Sequence, residues 1–250
     1  MKTAIIVPFY NRWDLTHQCL WDLYQHVPPQ DLEIVLINDA STDIDCESGV
    51  VWWQKEVMRH PIRYKKNKEN LGFGGSMNVG AKIAIHYGAE LLVFLSNDVR
   101  VSGDFVSQIQ SKVDANPNSL LGGEIIDWKG GWNEFTVDDK EIVIHYANGW
   151  LLSCTTKVWK TLVGFDPIYS PYDYEDIDLS TSALANGYAI IGLNSEFVRH
   201  AHQGSTIAST DKGQNRLEHT KKNRKKYEDK WLNRLSEIVE INNDVPRRSR

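Results

Sequence analysis

Apolar runs and amphipathic stretches alternate through the first hundred residues of the chain. Ala4 to Phe9 is a short unbroken apolar run that gives way to Tyr10-Asn11-Arg12. Leu32 to Ile37 is a second run, closed by Asn38-Asp39-Ala40-Ser41-Thr42-Asp43. Runs of this kind read as strands buried on both faces, the habit of parallel sheets. Between them Leu15, Cys19, Leu20 and Leu23 recur at helical spacing. A helix is expected from Glu47 to Met58 and a strand near Ile62 to Lys65. Asn70-Leu71-Gly72-Phe73-Gly74-Gly75-Ser76 reads as a flexible loop leading into a helix from Met77 to Tyr87. A further run, Leu91 to Leu95, ends in Ser96-Asn97-Asp98. Strands alternating with helices imply a parallel α/β sheet with right-handed crossovers.

The second half is less regular. The pattern predicts a helix over Val101 to Ala115 and a strand over Leu120 to Ile126. Asp127 to Val143, rich in Trp, Gly and acids, reads as a hairpin or irregular flap. A helix is expected from Tyr172 to Asn186, then strands over Tyr188 to Leu193 and Glu196 to Arg199. A polar helix follows over Gln214 to Glu237. Residues 1–205 are expected to form one domain (1–100 a nucleotide-binding half, 101–205 an acceptor half), with a helical extension over 206–245 and a disordered tail at 246–250.

Charge and cysteine content narrow the function classes. A net charge of −5 over 250 residues excludes nucleic acid as the main partner, because phosphate binding needs a basic surface. Cys19, Cys46 and Cys154 are odd in number and widely spaced, which suits neither a zinc site nor a disulfide framework. That pattern predicts a reducing compartment. The first apolar run is too short for a secretory signal, and no stretch approaches a membrane span. The chain is expected to be cytoplasmic, with at most peripheral contact at the inner face of a membrane.

The candidate chemistry sits where the strands end. In a parallel sheet, Tyr10-Asn11, Asn38-Asp39 and Asn97-Asp98 fall along one edge and can converge on one ligand. An Asp there can accept from a nucleobase N–H or a ribose hydroxyl, and a Tyr ring offers a stacking face. Asp98 could hold a hard cation with its phosphates, or simply cap the next helix.

These clusters resemble the nucleotide-sugar glycosyltransferases of family 2, including rhamnosyltransferase-like members. The matching pieces are Ile5-Ile6-Val7-Pro8-Phe9-Tyr10-Asn11-Arg12, Ile37 to Asp43, Asn70 to Gly75, Phe94 to Asp98, and Tyr174-Glu175-Asp176-Ile177-Asp178-Leu179. The resemblance implies the GT-A fold: a Rossmann-like, mostly parallel central sheet flanked by helices, with a smaller mixed region on the acceptor side. It implies that Pro8, Tyr10 and Asp39 line the base and ribose pocket, Asp39 taking the imide N–H of a uracil or thymine. Asn11, Gly74, Asn78 and Asn97 complete the donor-binding set.

Asp98 would be the metal-binding acid of the family's Asp-x-Asp motif, with Mn²⁺ or Mg²⁺ as the ion, and His200 the later metal or diphosphate ligand. Here the motif departs from many relatives: Ser96-Asn97-Asp98 offers one carboxylate where they carry two or three, which lowers the expected cation affinity. Asp176 would be the catalytic base, with Asp178 the runner-up, because a sugar hydroxyl needs a positioned carboxylate to take its proton. The same acids also suit the first turn of a helix, and both readings can hold together. His202 stands behind His200 as a ligand.

Trp128, Trp132 and Glu175 are candidates for the acceptor side, since indole faces stack on sugar rings. Trp150 reads equally as platform or core, and Trp52 and Trp53 as packing. Lys221-Lys222-Asn223-Arg224-Lys225-Lys226 reads as a solvated helix face, and spacing gives no support to closure over the diphosphate by Arg216 or His219.

The expected function is an inverting transferase that moves a sugar from a UDP- or dTDP-sugar to a glycan, lipid-linked or protein acceptor. A retaining GT-A transferase and a catalytically silent nucleotide-sugar or glycan-binding protein remain as alternatives.

Overall fold

The structure is a computed structural model that describes residues 1–57, 60–129, 136–137, 140–201 and 212–238. The first half runs β1 (Thr3–Phe9), α1 (Trp13–His26), β2 (Leu32–Asn38), α2 (Ile44–Glu56), β3 (Ile62–Lys66), α3 (Gly72–His86) and β4 (Leu91–Leu95). After it come β5 (Val99–Val101), α4 (Phe105–Ala115), β6 (Ser119–Gly122), β7 (Ile125–Trp128), β8 (Thr136–Val137), β9 (Lys140–Glu141) and β10 (Ile144–Ala147). The chain continues through β11 (Leu151–Thr155), α5 (Thr156–Leu162), α6 (Glu175–Ala185), β12 (Ala189–Gly192), β13 (Val198–His200) and α7 (Lys212–Trp231).

Seven strands form the central sheet in the order β12-β6-β11-β4-β1-β2-β3. β1 pairs in parallel with β2, Phe9 opposite Asn38, and with β4, Ile6 opposite Phe94. The carboxyl ends of these three strands therefore lie along one edge, as the strand-end clusters predict. β11 runs antiparallel between β4 and β6, which makes the sheet mixed.

Alternate side chains divide the core. Ile5, Val7, Ile34 and Leu36 pack with Leu20 and Leu23 of α1, Val50 and Trp53 of α2, and Ile109 of α4. Ala4, Ile6, Val35 and Ile37 face Met77 and Ala81 of α3, Val158 of α5 and Leu179 of α6. A third apolar group, including Tyr169, Tyr174 and Ile177, joins α6 to Tyr227 and Trp231 of α7. The three thiols are buried and unpaired. Among the described residues, no helix is long and apolar enough to cross a membrane.

Several boundaries differ from the sequence pattern, each for a local reason. The expected loop over Asn70 to Ser76 is largely the first turn of α3. The N–H groups of Leu71 and Gly72 donate to Asp39, a cap supplied from another element, so the glycine run does not prevent helix formation. Val101 belongs to a strand, and α4 starts later, where Asp104 accepts from the N–H of Ser107 at 3.1 Å. The single strand expected over Leu120 to Ile126 is two, β6 and β7, broken at Gly123-Glu124 and assigned to different sheets.

The expected helix from Tyr172 starts only at Glu175, because Asp173 (φ 70°) and Tyr174 (φ 79°) are left-handed. Trp53 is buried as expected, whereas Trp52 is 44% exposed. Trp132, His202, part of the 127–143 flap and the 246–250 tail lie outside the described residues.

Candidate active site

Asp39 stands at the end of β2, 4% exposed. Its Oδ1 accepts from Asn67 Nδ2 at 2.8 Å and the Leu71 N–H at 2.9 Å; its Oδ2 accepts from the Gly72 N–H at 2.9 Å. Asn67 also donates to Ser76 Oγ. Gly72, at φ +75°, lies against the backbone of Pro171, so the start of α3 touches the loop that precedes α6. Gly74 serves the same approach: a side chain there would meet Phe165 Cβ at 3.0 Å and Glu175 Cβ at 3.7 Å.

Pro8 is buried within β1, opposite Ile37, and Tyr10 is half-buried at its end. Asn11 accepts on its side-chain Oδ1 from the N–H groups of Thr42 and Asp43, which ties the ends of β1 and β2 together. The Asn78 amide both donates to and accepts from the backbone of Phe165, bracing the loop before α6. Asn97 donates to Thr16 of α1.

At the end of β4, Asp98 is 3% exposed. Its Oδ1 accepts from Ser96 Oγ at 2.6 Å and lies 3.1 Å from His200 Nε2. The pairing of β13 with β5 places His200 opposite Val99 and so delivers the imidazole to this acid from a hundred residues away. The Trp150 ring stacks on His200, with centroids 5.7 Å apart and planes 5° from parallel. The Ser96 N–H donates to the Trp150 carbonyl, and the adjacent Gly149 N–H donates to Asp176 Oδ2 at 2.9 Å. Two consecutive residues thus connect the Asp98–His200 pair to the Glu-Asp pair of α6.

The second oxygen of Asp176 accepts from the Ile177 N–H at 2.9 Å. Burial pushes Asp176 up to about 6, against the pull of the Gly149 and Ile177 N–H groups and with a further push from Asp173. Burial also drives Glu175 well above the usual carboxylate range, reinforced by Asp176 and Asp173 and opposed by its own backbone N–H and by Arg216. Both acids line a cleft of about 610 Å³. Trp128, Tyr146 and Asn148 form one wall, and Arg216, Thr220, Lys221 and Arg224 of α7 form another. The half-buried Trp128 ring stands edge-on to Tyr174 and Tyr227.

Asp178 does not share this cleft. It is 3% exposed and bonded to the Tyr169 hydroxyl, the Trp231 indole N–H and Lys230 Nζ. Burial raises it while those donors hold it down. Its surroundings make it an anchor between α6 and α7.

The basic run of α7 also differs from a plain solvated face. Lys221, Lys222 and Lys225 are exposed, but Asn223 is fully buried and donates to the carbonyls of Tyr169, Tyr172 and Asp173. Arg216 pairs with Asp173 at 3.0 Å, and Thr220 donates to the same carboxylate. The spacing of Asn223, Tyr227 and Trp231, four residues apart each time, is the signal for this docked face. Gly149 and Asn67 carry no such signal; only the fold brings them to the acids.

The model of the family described as "Glycosyl transferase family 2" matches residues 4–172. A poly(ribitol-phosphate) β-glucosyltransferase of Bacillus spizizenii is 30% identical over 126 residues, half of this chain and 19% of its own length. A mannosyltransferase from Pyrobaculum calidifontis, solved with GDP-Man and Mn²⁺, superposes with a TM-score of 0.60 at 21% identity, over 76% of this chain and 54% of its own. S. aureus TarS 1-349 superposes with a TM-score of 0.58 at 19% identity, over 79% of this chain and 60% of its own. The chain thus spans a fifth to three-fifths of these relatives. With a mostly parallel sheet of the GT-A kind and a family match over two-thirds of its length, the chain belongs to glycosyl transferase family 2.

Proposed function

We propose that the chain is an inverting glycosyltransferase that moves a sugar from a UDP- or dTDP-sugar to a hydroxyl of a glycan, lipid-linked or protein acceptor. The observation that carries this reading is Asp176. Its carboxylate is held by two backbone N–H groups at a cleft large enough for a sugar acceptor, with a pKa of about 6. A base poised just below neutral pH is ionised there and still basic enough to accept a proton.

In this reading Asp176 takes the proton of the acceptor hydroxyl as its oxygen attacks the anomeric carbon. The carbon–oxygen bond to the diphosphate breaks on the opposite face, and its electron pair leaves with the nucleotide. Pro8 and Tyr10 line the base pocket. Asp39 receives the imide N–H: three donors already occupy a carboxylate with about four acceptor positions, and Oδ2 has room for one more. UDP and UDP-GlcNAc are ligands of S. aureus TarS, which supports this choice of nucleotide.

A divalent metal, Mn²⁺ or Mg²⁺, fits the donor set of Asp98 and His200. No group of three or more His, Cys, Asp or Glu side chains suited to a metal occurs among the described residues, so a nucleotide diphosphate would complete the coordination. When bound, the ion would offset the charge that develops on the leaving diphosphate.

A thermal-shift comparison of UDP, dTDP and GDP, with and without Mn²⁺, tests the donor half. UDP or dTDP is expected to raise the Tm most, and Asp98→Asn or His200→Ala to remove the Mn²⁺-dependent part of that rise. NMR of the product made from a UDP-sugar and poly(ribitol-phosphate), the polymer named for the Bacillus relative, tests the chemistry. An inverted anomer is expected; retention sinks the role of Asp176.

The pH dependence follows from the same carboxylate. Activity is expected to rise with pH through about 6 as Asp176 ionises. Its effect on folding has the opposite sign. The native state holds this proton more tightly than the unfolded chain, whose Asp titrates near ~3.9. That stabilisation is complete below the unfolded value and is lost as pH rises through about 6. Flat activity between pH 5 and 8, a window of about three units around this value, would count against a titrating base.

A further inference from the structure

We infer that Glu175 stays protonated at neutral pH and donates a hydrogen bond from its carboxyl O–H to an acceptor oxygen in the cleft. The inference rests on the reading of that cleft as the acceptor site. It starts from an asymmetry between neighbours. Asp176 has a backbone N–H on each oxygen. The buried Oε2 of Glu175 has no hydrogen-bond partner among the described residues.

Two adjacent carboxylates placed so differently take different roles: the one with a backbone N–H on each oxygen is held ionised, and the one that has only its own backbone N–H, with Oε2 left bare, keeps its proton. A protonated carboxyl is a donor as well as an acceptor, whereas an ionised one can only accept.

The charged surroundings agree. Asp173 and Asp176 stand on the same loop and helix turn, and both disfavour a further negative charge. From α7, Arg216 faces the group but is committed to Asp173, and Arg224 is paired with Glu228. Lys221, on the same wall, is exposed to solvent. Tyr146, facing from β10, is raised by burial and stays neutral. Burial then pushes Glu175 well above the ordinary carboxylate range while Asp176 remains near 6.

Position gives the proton a purpose. The side chain lies between the cleft and the glycine turn of α3, its Cβ 3.7 Å from where a Gly74 Cβ would sit. An anion there would repel a nucleotide diphosphate entering beside α3. A neutral acid does not, and its O–H can orient the acceptor hydroxyl whose proton Asp176 removes.

Infrared difference spectroscopy on the intact chain reads the proton directly. A protonated-carboxyl C=O band is expected at pH 7, present in Asp176→Asn and absent in Glu175→Gln. A band missing from the wild type at pH 7, or one that disappears through pH 6, overturns the inference. Kinetics read the hydrogen bond. Glu175→Gln, which keeps a donor, is expected to hold acceptor kcat/KM within about three-fold, while Glu175→Ala loses about ten-fold or more, the worth of one buried hydrogen bond. UDP-induced thermal shifts are expected to be unchanged in both. Equal loss in the two variants overturns the donor role. A wild type that transfers no sugar overturns the reading of the cleft, and the acceptor bond with it, whereas the infrared band still decides the proton.

Discussion

Asp176→Asn is expected to lower sugar transfer by about 10²–10⁴-fold, the usual worth of a positioned general base, while leaving UDP binding intact. The substitution preserves shape. The new amide oxygen can still accept from the N–H of Gly149 or Ile177, so the loop and α6 keep one of the two contacts that define the site. The amide NH₂ opposes the other N–H, a stability cost on the order of 1 kcal/mol. What is removed is the capacity to take a proton near pH 6. Asp178→Asn is the control on the same helix: it loosens bonds to Tyr169, Lys230 and Trp231, so it is expected to lower the Tm more than the turnover. Initial rates with saturating donor, paired with UDP thermal shifts, separate the two. Unchanged turnover in Asp176→Asn would remove this residue from the chemistry.

Much of the nucleotide half could be read from residue pattern because its physics is local. Short continuous apolar runs rich in β-branched residues and closed by polar clusters read as strands buried on both faces, and polar residues gather where each strand leaves the core. Asp39 and Asp98 were therefore identifiable as strand-end acids before any contact was known. Their partners were not. Asn67 and the start of α3 reach Asp39 across about thirty residues, and His200 reaches Asp98 across 102. No periodicity encodes such distances.

The acceptor half was less legible for a second reason. Its segments are short, and backbone conformation, not hydrophobic pattern, decides them. The run from Leu120 to Ile126 satisfies the requirements of one strand, yet the chain bends at Gly123-Glu124 and gives each half to a different sheet. The helix expected from Tyr172 is delayed by two left-handed residues, of which Asp173 is of a type that tolerates this region and Tyr174 is not. Charge misled once. Lys221 to Lys226 reads as solvated by composition, while a neutral amide in its midst, Asn223, is buried and joins Tyr227 and Trp231 in docking α7.

That amide underlies the second large effect. Asn223→Ala is expected to destabilise the fold by about 2–4 kcal/mol and to reduce turnover by more than it weakens donor binding. The Nδ2 group lies 2.8 Å from the Tyr169 carbonyl, 3.0 Å from that of Tyr172 and 2.9 Å from that of Asp173. An NH₂ group has two hydrogens, so three carbonyls share them, and all three lose that donor when it goes. Each buried carbonyl left without a partner costs about 1–3 kcal/mol, with partial relief from water. The same loop carries Asp173 and Tyr174 at positive φ, a strain on the order of 1–3 kcal/mol per residue that surrounding bonds must offset. Once α7 releases those carbonyls, the left-handed pair can relax, and Glu175 and Asp176 follow directly in sequence. Asn223→Asp is expected to be worse, because it sets carboxylate oxygens against carbonyl oxygens. Urea unfolding gives the stability term, and kcat set beside the UDP thermal shift gives the positioning term. Native turnover in a destabilised Asn223→Ala chain would make α7 a cover only; loss of turnover with UDP binding retained places it among the elements that aim the base.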